Sequence, residues 1–195
     1  MAVGVFIGKF QPFHNKHLDT ILKLYQNTNL VLIIPIYLEK DKKEILTLKN
    51  PIPINYRYNY IKSVLEEYID SEKYYVIPLN ILDKNFITKF MNILKSTGEK
   101  EFLIYTRDLN RFFIYKVFSL ISKLYSLSFK VYYDKNKKFC SEDIRKAIID
   151  GYYEKIKCFL PKELDKKSIM YIKYYKICKN RDLDNFLRYI ISLIV

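Results

Sequence analysis

Residues 8–18 read Gly-Lys-Phe-Gln-Pro-Phe-His-Asn-Lys-His-Leu and contain both histidines of the 195-residue chain. The apolar run that precedes them, residues 2–8, predicts a buried strand. Residues 15–26 predict a helix, because their apolar side chains recur at helical spacing: Leu18, Ile21, Leu22 and Tyr25. The two histidines are therefore expected where a first strand ends and a first helix begins.

Beyond this connection between the first strand and the first helix, strand and helix patterns alternate up to residue 133. Strands are predicted at residues 2–8, 31–37, 74–79, 101–106 and 128–133. Helices are predicted at 15–26, 55–69, 84–95 and over about 18 residues from Leu109, while residues 38–52 are predicted to form a loop. This alternation indicates an α/β fold, a doubly wound, Rossmann-like parallel sheet with helices on both faces.

The strand pattern stops before residue 141, and only helical patterns follow. They cover residues 141–150, about 152–159, 162–177 and 183–193. We expect a Rossmann-like domain over residues 1–140 and a C-terminal helical segment, 141–195, packed on the same domain.

The composition narrows the functional class. The formal net charge is +13, which suits anionic ligands such as nucleotides. A bias toward Lys, Ile, Asn and Tyr, as an A/T-rich genome would impose, explains much of that charge equally well, so a nucleic-acid partner is not expected. No apolar run reaches the roughly 20 residues that cross a bilayer. Three widely spaced cysteines, Cys140, Cys158 and Cys178, are typical of a reduced, cytoplasmic protein.

Two histidines between the first strand and the first helix favour a site that binds phosphate groups. Ligands of doubly wound sheets bind beyond the carboxyl ends of the strands, and a helix N-terminus attracts phosphate through its free N–H groups and positive dipole end. Imidazoles of His14 and His17 can both donate hydrogen bonds to one anion there. The alternatives are a surface pair or half of a metal site, but no third histidine or nearby cysteine completes such a site.

The stretch GKFQPFHNKHL resembles the GRFQPFHxGH signature of the HxGH nucleotidylyltransferases, and most closely their archaeal-type nicotinamide mononucleotide (NMN) adenylyltransferases. Residues 48–51 (Leu-Lys-Asn-Pro) and 56–57 (Tyr-Arg) are similar to the family's L-E-N-P-F-T-A-G-E-R segment. Residues 77–79 (Ile-Pro-Leu) resemble its I-P-I/V strand end, and Ile144-Arg145 resembles the end of its I-S-x-T-x-I-R motif.

This resemblance implies a reaction and a set of site residues. ATP and NMN would form NAD and pyrophosphate by in-line attack on the α-phosphorus of ATP, with Mg²⁺ on the phosphates and no protein ligand to the metal. His14 and His17 would be catalytic. Lys9, Ser141 and Arg145 would bind the phosphates of ATP, whereas Arg57, Phe86 and Phe90 would bind NMN. The resemblance also implies a homo-oligomer.

Four departures from the family pattern stand out. Lys9 replaces an arginine, and Lys16 replaces a glycine that lets a ligand approach the backbone closely. Residues 139–143 (Phe-Cys-Ser-Glu-Asp) replace I-S-x-T-x, which puts Glu142 in the place of the threonine. Glu142 would repel a triphosphate unless Lys146 or magnesium intervenes. Ser141 would then take over the phosphate contact of the threonine, with the backbone shifted by one residue.

The fourth departure is the lack of any tryptophan, the residue that stacks on nicotinamide in the archaeal family. Two rivals therefore stay open. One is a sister enzyme that transfers a nucleotidyl group to pantetheine phosphate, flavin mononucleotide or a polyol phosphate. The other is a nucleotide- or RNA-binding protein that has lost catalysis, which Lys16, Glu142 and the net charge favour. Arg107, Arg111 and the lysines at 135, 137 and 138 are weaker candidates for phosphate contacts.

Overall fold

The computed structural model describes residues 2–47, 49–106, 109–123, 126–133 and 141–177. Its strands are β1 (Ala2–Gly8), β2 (Leu30–Tyr37), β3 (Glu39–Lys40), β4 (Lys43–Glu44), β5 (Tyr74–Val76), β6 (Leu79–Asn80), β7 (Glu101–Thr106) and β8 (Ser128–Tyr133). Its helices are α1 (Asn15–Asn27), α2 (Ile54–Leu65), α3 (Phe86–Ser96), α4 (Leu109–Ser122), α5 (Ser141–Ile149), α6 (Tyr153–Ile156) and α7 (Lys166–Ile177).

The main sheet is parallel throughout and runs in the order β5-β2-β1-β7-β8, with β6 continuing beside β2 after β5 ends. The order reverses between β1 and β7, because the chain first builds outward on one side of β1 and then on the other. The doubly wound Rossmann-like fold predicted from the sequence is confirmed. In such sheets the crevice for a ligand opens at the carboxyl ends of the strands where the order reverses.

Alternate residues of the central strands point to opposite faces of the sheet and pack into two separate hydrophobic cores. Val31 and Ile33 of β2 pack in a cluster with α1 and α2. Leu32 and Ile34 point to the other face and pack with α3, α4 and β8. A strand that is buried on both faces needs the continuous β-branched and leucine run that β2 has.

The C-terminal helices join the α1/α2 core. Ile144 and Ile148 of α5 and Ile172 of α7 are buried in that cluster. The Tyr60 hydroxyl of α2 donates a hydrogen bond to the carbonyl oxygen of Lys162. The predicted helix at 162–177 begins later, at Lys166, and the one at 152–159 is α6 followed by a 3₁₀ turn. The predicted helix at 183–193 lies outside the described residues. No helix among the described ranges is long and apolar enough to span a membrane.

Two sequence predictions are corrected. Residues 38–52 are not wholly a loop, because β3 and β4 form an antiparallel hairpin within them. The predicted strand at 74–79 is two short strands, β5 and β6, separated by Ile77 and Pro78. The side chain of Asn80 fixes the foot of the hairpin, since its amide donates to the Glu39 carbonyl at 2.8 Å and its oxygen accepts from the Glu39 N–H at 3.0 Å.

Candidate active site

The loop from Gly8 to His14 turns the chain sharply from β1 into α1. Phe10 adopts a left-handed backbone conformation with φ of +50°, which costs roughly 1–2 kcal/mol for a residue with a Cβ. Its ring is 1% exposed and lies over Gly8, where a Cβ would come within 2.8 Å of the ring. A glycine at position 8 therefore lets the phenylalanine fold back under the loop.

Gln11 holds this loop from a second direction. Its buried amide pairs with the backbone of Ile52, donating to the carbonyl at 2.9 Å and accepting from the N–H at 2.9 Å. These two hydrogen bonds resemble those between paired strands, and they join two segments that are 41 residues apart in the chain. A buried side chain is well fixed when both of its polar atoms are hydrogen-bonded. Gln11 therefore holds residues 50–52 and the β1–α1 loop together as one unit.

His14 is the residue that caps α1 at its N-terminus, and His17 lies in the first turn, as the sequence predicted. Their rings stack with centroids 3.7 Å apart and planes 22° apart. The His14 N–H donates to Nδ1 of His17 at 3.3 Å. Since Nδ1 accepts, neutral His17 carries its proton on Nε2. In this tautomer Nε2–H is the hydrogen-bond donor of the His17 ring, in the first turn of α1.

Three phenylalanines support the His17 ring. The ring centroids of Phe6, Phe10 and Phe13 lie 5.9, 5.0 and 5.5 Å from that of His17. Phe10 and Phe13 are buried, whereas His17 is partly exposed. These contacts fix the plane of the imidazole before any ligand binds, which is the kind of preorganisation that stabilises charge in a transition state.

Arg145 and Ser141 reach the same loop from α5. Arg145 Nη1 donates to the Gln11 carbonyl at 2.5 Å, and the Ser141 hydroxyl donates to the Pro12 carbonyl at 3.1 Å. Ser141 is the first residue of α5, and Arg145 lies about one turn further along the helix. The structure thus brings together the two sequence segments predicted to bind the triphosphate, although they are about 130 residues apart.

Lys9 is partly exposed and is influenced by several other cations. Its pKa is lowered from 10.5, first by burial and then by neighbouring positive charges. Those charges belong to Arg111, Lys49, Arg145 and Arg57. Lys9 forms no ion pair with any carboxylate among the residues that the structure describes. An anion bound beside Lys9 would relieve this mutual repulsion.

The structure revises the role of Arg57, which was expected to bind the acceptor. Its guanidinium is 3% exposed. It donates to three backbone carbonyls: Lys9 at 2.7 Å, Ile36 at 2.9 Å and Ile52 at 2.9 Å. It also pairs with Glu44 of β4 at 3.1 Å. Burial lowers the pKa of Arg57 and Glu44 opposes that effect. Arg57 therefore acts as a positioning residue that ties the ends of β1 and β2 to the β3–β4 hairpin.

The segment that we call the acceptor side, residues 79–90, is built differently. Phe90 is 4% exposed and packs on Phe118 in the core, with ring centroids 5.5 Å apart. A ligand ring cannot stack on it, so the expectation for Phe90 is corrected. Phe86 is partly exposed and lies beside the exposed side chains of Ile81, Leu82 and Ile87 in sequence. The stacking prediction therefore rests on Phe86 alone.

The departures at Lys16 and Glu142 are accommodated on the surface. Lys16 extends along α1 to Asp19, with 3.2 Å between the charged atoms, and about half of its side chain is exposed (49%). Glu142 pairs with Lys146 at 3.4 Å on the exposed face of α5. Ser141, one residue earlier, makes the contact to the loop. The side chain of Lys16 thus swings out, and Glu142 is offset by Lys146 as the sequence suggested.

Several sequence candidates lie outside the described residues. They are Leu48, Arg107, Lys135, Lys137, Lys138, Phe139, Cys140 and Cys178. Among the described residues, no group of three histidines, cysteines or carboxylates could hold a metal ion.

One candidate residue, Lys49, was not singled out from the sequence, although residues 48–51 matched a family motif. Lys49 is an exposed residue between Thr47 and Asn50, which pair across a tight turn. It belongs to no periodic pattern, and only its proximity to Lys9 in the fold brings it into the site. Its place beside Asn50-Pro51 was the available signal, since that segment already matched a family motif. We call the unit formed by residues 8–17, Lys49, Arg111, Ser141 and Arg145 the phosphate side.

The parallel sheet with an imidazole pair at the start of its first helix agrees with the class of protein that the comparisons show, a nucleotidyltransferase. The model of the cytidylyltransferase-like family matches residues 5–149. The chain belongs to the cytidylyltransferase-like family.

Relatives by sequence bear out the archaeal resemblance. The chain is 27% identical over 158 residues to the nicotinamide-nucleotide adenylyltransferase of Methanococcus vannielii, covering 81% of this chain and 83% of that protein. It is 34% identical over 85 residues to the enzyme of the same name from Thermococcus kodakarensis, covering 43% of each chain. The resemblance to archaeal-type NMN adenylyltransferases read from residues 8–18 is confirmed.

Solved structures share the fold. A bifunctional NMN adenylyltransferase/ADP ribose pyrophosphatase from Francisella tularensis superimposes with a TM-score of 0.67 at 22% identity, over 98% of this chain. This chain spans about half (54%) of the length of that protein. The nicotinic acid mononucleotide adenylyltransferase of Plasmodium falciparum, complexed with NaAD, gives a TM-score of 0.52 at 14% identity, over 92% of this chain and 98% of that one.

Proposed function

We propose that this chain transfers the adenylyl group of ATP to NMN, forming NAD and pyrophosphate. An oxygen of the 5′-phosphate of NMN attacks the α-phosphorus of ATP in line. A new phosphorus–oxygen bond forms to that oxygen, and the bond from the α-phosphorus to the bridging oxygen of the β-phosphate breaks. Pyrophosphate leaves with the electron pair. The names of the archaeal relatives support this choice of substrates.

The stacked imidazoles at the N-terminus of α1 carry the proposal. Nε2–H of His17 would donate to a nonbridging oxygen of the α-phosphate, where negative charge increases in the transition state. Lys9 and Arg145 would hold the triphosphate, because their cations flank the same loop. No side chain has to act as a nucleophile, since positioning and charge stabilisation supply the catalysis of such transfers.

Magnesium enters the proposal as the MgATP complex. The described residues offer it no ligand cluster, which fits an ion that usually keeps its waters and binds through substrate phosphates. Its chemical contribution would be neutralisation of the phosphate oxygens. The homo-oligomer and the cytoplasmic setting stay predictions.

Replacement of His17 tests the proposal. His17→Ala should lower kcat for NAD formation by about 10²-fold, as expected for loss of one preorganised donor, with a KM for ATP that changes far less. The measurement is pyrophosphate release from ATP and NMN. Lys130→Gln is a control, because Lys130 is exposed on β8 and should leave kcat unchanged. An unchanged kcat in His17→Ala would remove the imidazole from the mechanism.

A second candidate is the same adenylyl transfer to another acceptor. The acceptor side favours it, because Phe90 is buried and exposed aliphatic residues flank Phe86. Pyrophosphate release should be compared for NMN, nicotinic acid mononucleotide, pantetheine phosphate and flavin mononucleotide. We expect the largest kcat/KM with NMN; a higher value with any other acceptor would replace it as the substrate.

A further inference from the structure

We propose that Asn80 and Glu44 are positioning residues that act through the β3–β4 hairpin and set the distance between the acceptor side and the phosphate side. The proposal rests on the proposed function, because that distance separates the 5′-phosphate of NMN from the α-phosphorus of ATP. The hairpin follows β2 and is joined to one side by Asn80 and to the other by Glu44.

Asn80, the last residue of β6, holds the hairpin to the acceptor side. Its amide donates to the Glu39 carbonyl at 2.8 Å. Its oxygen accepts from the Glu39 N–H at 3.0 Å and from the Leu82 N–H, also at 3.0 Å. One side chain therefore fixes both the first strand of the hairpin and the turn that follows β6.

Glu44 holds the second strand of the hairpin to the phosphate side. Its two carboxylate oxygens accept from the N–H of Ile54, the first residue of α2, at 3.1 and 2.9 Å. Helix α2 has no acidic residue in its first turn, so Glu44 supplies the negative charge that a helix N-terminus favours. Oε1 of Glu44 also accepts from Arg57 at 3.1 Å, and Arg57 in turn donates to the Lys9 carbonyl at 2.7 Å.

The two anchored residues of the hairpin, Glu39 and Glu44, face each other. They are paired directly in its antiparallel ladder, and the Ile45 N–H closes the ladder by donating to the Leu38 carbonyl at 2.7 Å. Facing residues of antiparallel strands are only about 5 Å apart. A displacement of Glu39 on the acceptor side is therefore transmitted to Glu44 on the phosphate side.

The turn of the hairpin depends on these anchors. Asp41 and Lys42 both have a left-handed backbone, with φ of +51° and +60°, as two-residue hairpin turns often require. Glycine and asparagine adopt this conformation readily, whereas lysine is strained in it. A single short hairpin is at best marginally stable by itself. The side chains that hold its two ends therefore determine where it lies.

A small shift of the hairpin should affect the rate of transfer more than the binding of either substrate. In-line attack needs the attacking oxygen aligned with the phosphorus, and a misplacement of about 1 Å can cost about 10²-fold in rate. The contacts that bind each substrate would lie within one side of the crevice and would survive such a shift. Loss of either anchor should therefore lower kcat and leave both KM values nearly unchanged.

Alanine variants of the two anchors test the proposal through pyrophosphate release from ATP and NMN. Asn80→Ala and Glu44→Ala should each lower kcat about tenfold, with both KM values within about twofold of the wild type. The double variant should lose little more than either single variant, because release of one end already frees the hairpin. Two independent residues would instead multiply their losses to about 10²-fold.

Conservative variants and a matched control sharpen this test. Asn80→Asp keeps the two accepted hydrogen bonds, and Glu44→Gln keeps an oxygen for Ile54, so each should restore part of kcat. If an alanine variant does not fold in thermal unfolding, these two variants carry the same measurements. Asn92→Ala removes the same side chain as Asn80→Ala from an exposed position on α3 and should leave kcat unchanged.

Hydrogen exchange of the ligand-free chain, measured by NMR, tests the connection without the reaction. Asn80→Ala should speed exchange of the Ile54 N–H about fivefold or more, because Glu44 would be held less firmly against α2. The hydrogen bonds of Asn80 itself go to Glu39 and Leu82, so a local effect would stay near those residues. Asn92→Ala should leave the exchange of Ile54 as it is.

Several results would overturn the proposal. They are a kcat in the anchor variants equal to that of Asn92→Ala, a rise of one KM at an unchanged kcat, losses that multiply in the double variant, and faster exchange confined to residues 39 and 80–82. If the wild type releases no pyrophosphate with NMN, the proposed function fails by itself. Exchange at Ile54 then decides alone whether the hairpin connects the two sides.

Discussion

The phosphate side and the acceptor side of this crevice are built in opposite ways. On the phosphate side, side chains hold the loop at residues 8–14 from several elements at once. The buried side chains of Gln11 and Arg57 donate to the carbonyls of Ile52 and Lys9, and the partly buried Arg145 donates to the carbonyl of Gln11. The acceptor side, residues 79–90, presents exposed aliphatic residues and one partly exposed ring. Under the proposed function, this difference would hold the triphosphate rigidly and leave the acceptor to a less restrained surface.

Arg57→Ala should produce the largest effect, because it removes the side chain that joins β1, β2 and the β3–β4 hairpin. Its loss removes the ion pair to Glu44 and the donor to the carbonyls of Lys9 and Ile36, and breaking such a buried pair costs about 3–5 kcal/mol. In a chain of this size that lowers Tm by roughly 10 °C. Differential scanning calorimetry measures it, and Glu44→Gln should give a smaller loss.

Arg145→Ala gives the contrast for this prediction. It should keep most of the Tm and raise the KM for ATP, since Arg145 is only partly buried and belongs to the phosphate side. If Arg57→Ala instead kept its Tm and raised only the KM for the acceptor, Arg57 would be a substrate contact after all.

Gly8→Ala should have the next largest effect. The added Cβ would lie 2.8 Å from the Phe10 ring, and forcing extra volume into a packed site costs about 1–3 kcal/mol. Since Phe10 supports the His17 ring, kcat should fall several-fold as well. Denaturant unfolding and steady-state kinetics give the two values.

Gly98→Ala is the matched control for the glycine. Gly98 has φ of +73° and no atom within 4 Å of an added Cβ, so alanine there should cost about 1 kcal/mol through the backbone alone. The kcat should not change. Equal kcat values for both glycine variants would separate the Phe10 ring from catalysis.

Phe86→Ala should act mainly on the acceptor and destabilise the fold less than Phe90→Ala, because Phe86 is only partly buried, although its ring also packs on Phe90. Loss of one aromatic contact is worth about 0.5–1.5 kcal/mol, so the KM for NMN should rise about two- to tenfold. Phe90→Ala should do the reverse, destabilising the core by about 3–5 kcal/mol without a selective change in that KM. A KM for NMN that Phe86→Ala leaves unaltered would place the nicotinamide ring elsewhere.

The fold was predictable because its strands and helices carry regular periods. Continuous apolar strands such as β2 and the helical spacing in α1 are local signals, and they agree with the parallel order that the structure shows. The β3–β4 hairpin was missed, because distant side chains fix it: Asn80 at Glu39, and Arg57 at Glu44. The polar sequence of residues 39–44 does not indicate those partners.

The candidate site was predictable only where several functional residues lie close together in the sequence. Residues 8–17 combine two histidines with a strand end and a helix start, so their placement followed from local patterns. Arg57 looked like a ligand contact, because a sequence does not show that its partners are carbonyls up to 48 residues away. Lys49 was missed, since a single exposed lysine in a basic chain carries no pattern of its own.

A crystal structure with an ATP analogue that cannot be cleaved between the α- and β-phosphates is the most direct measurement. We predict an oxygen of the α-phosphate about 3 Å from Nε2 of His17, within hydrogen-bond range, and the β- and γ-phosphates beside Lys9 and Arg145. A triphosphate lying along residues 79–90, away from the two stacked imidazoles, would contradict the division of this crevice into a phosphate side and an acceptor side.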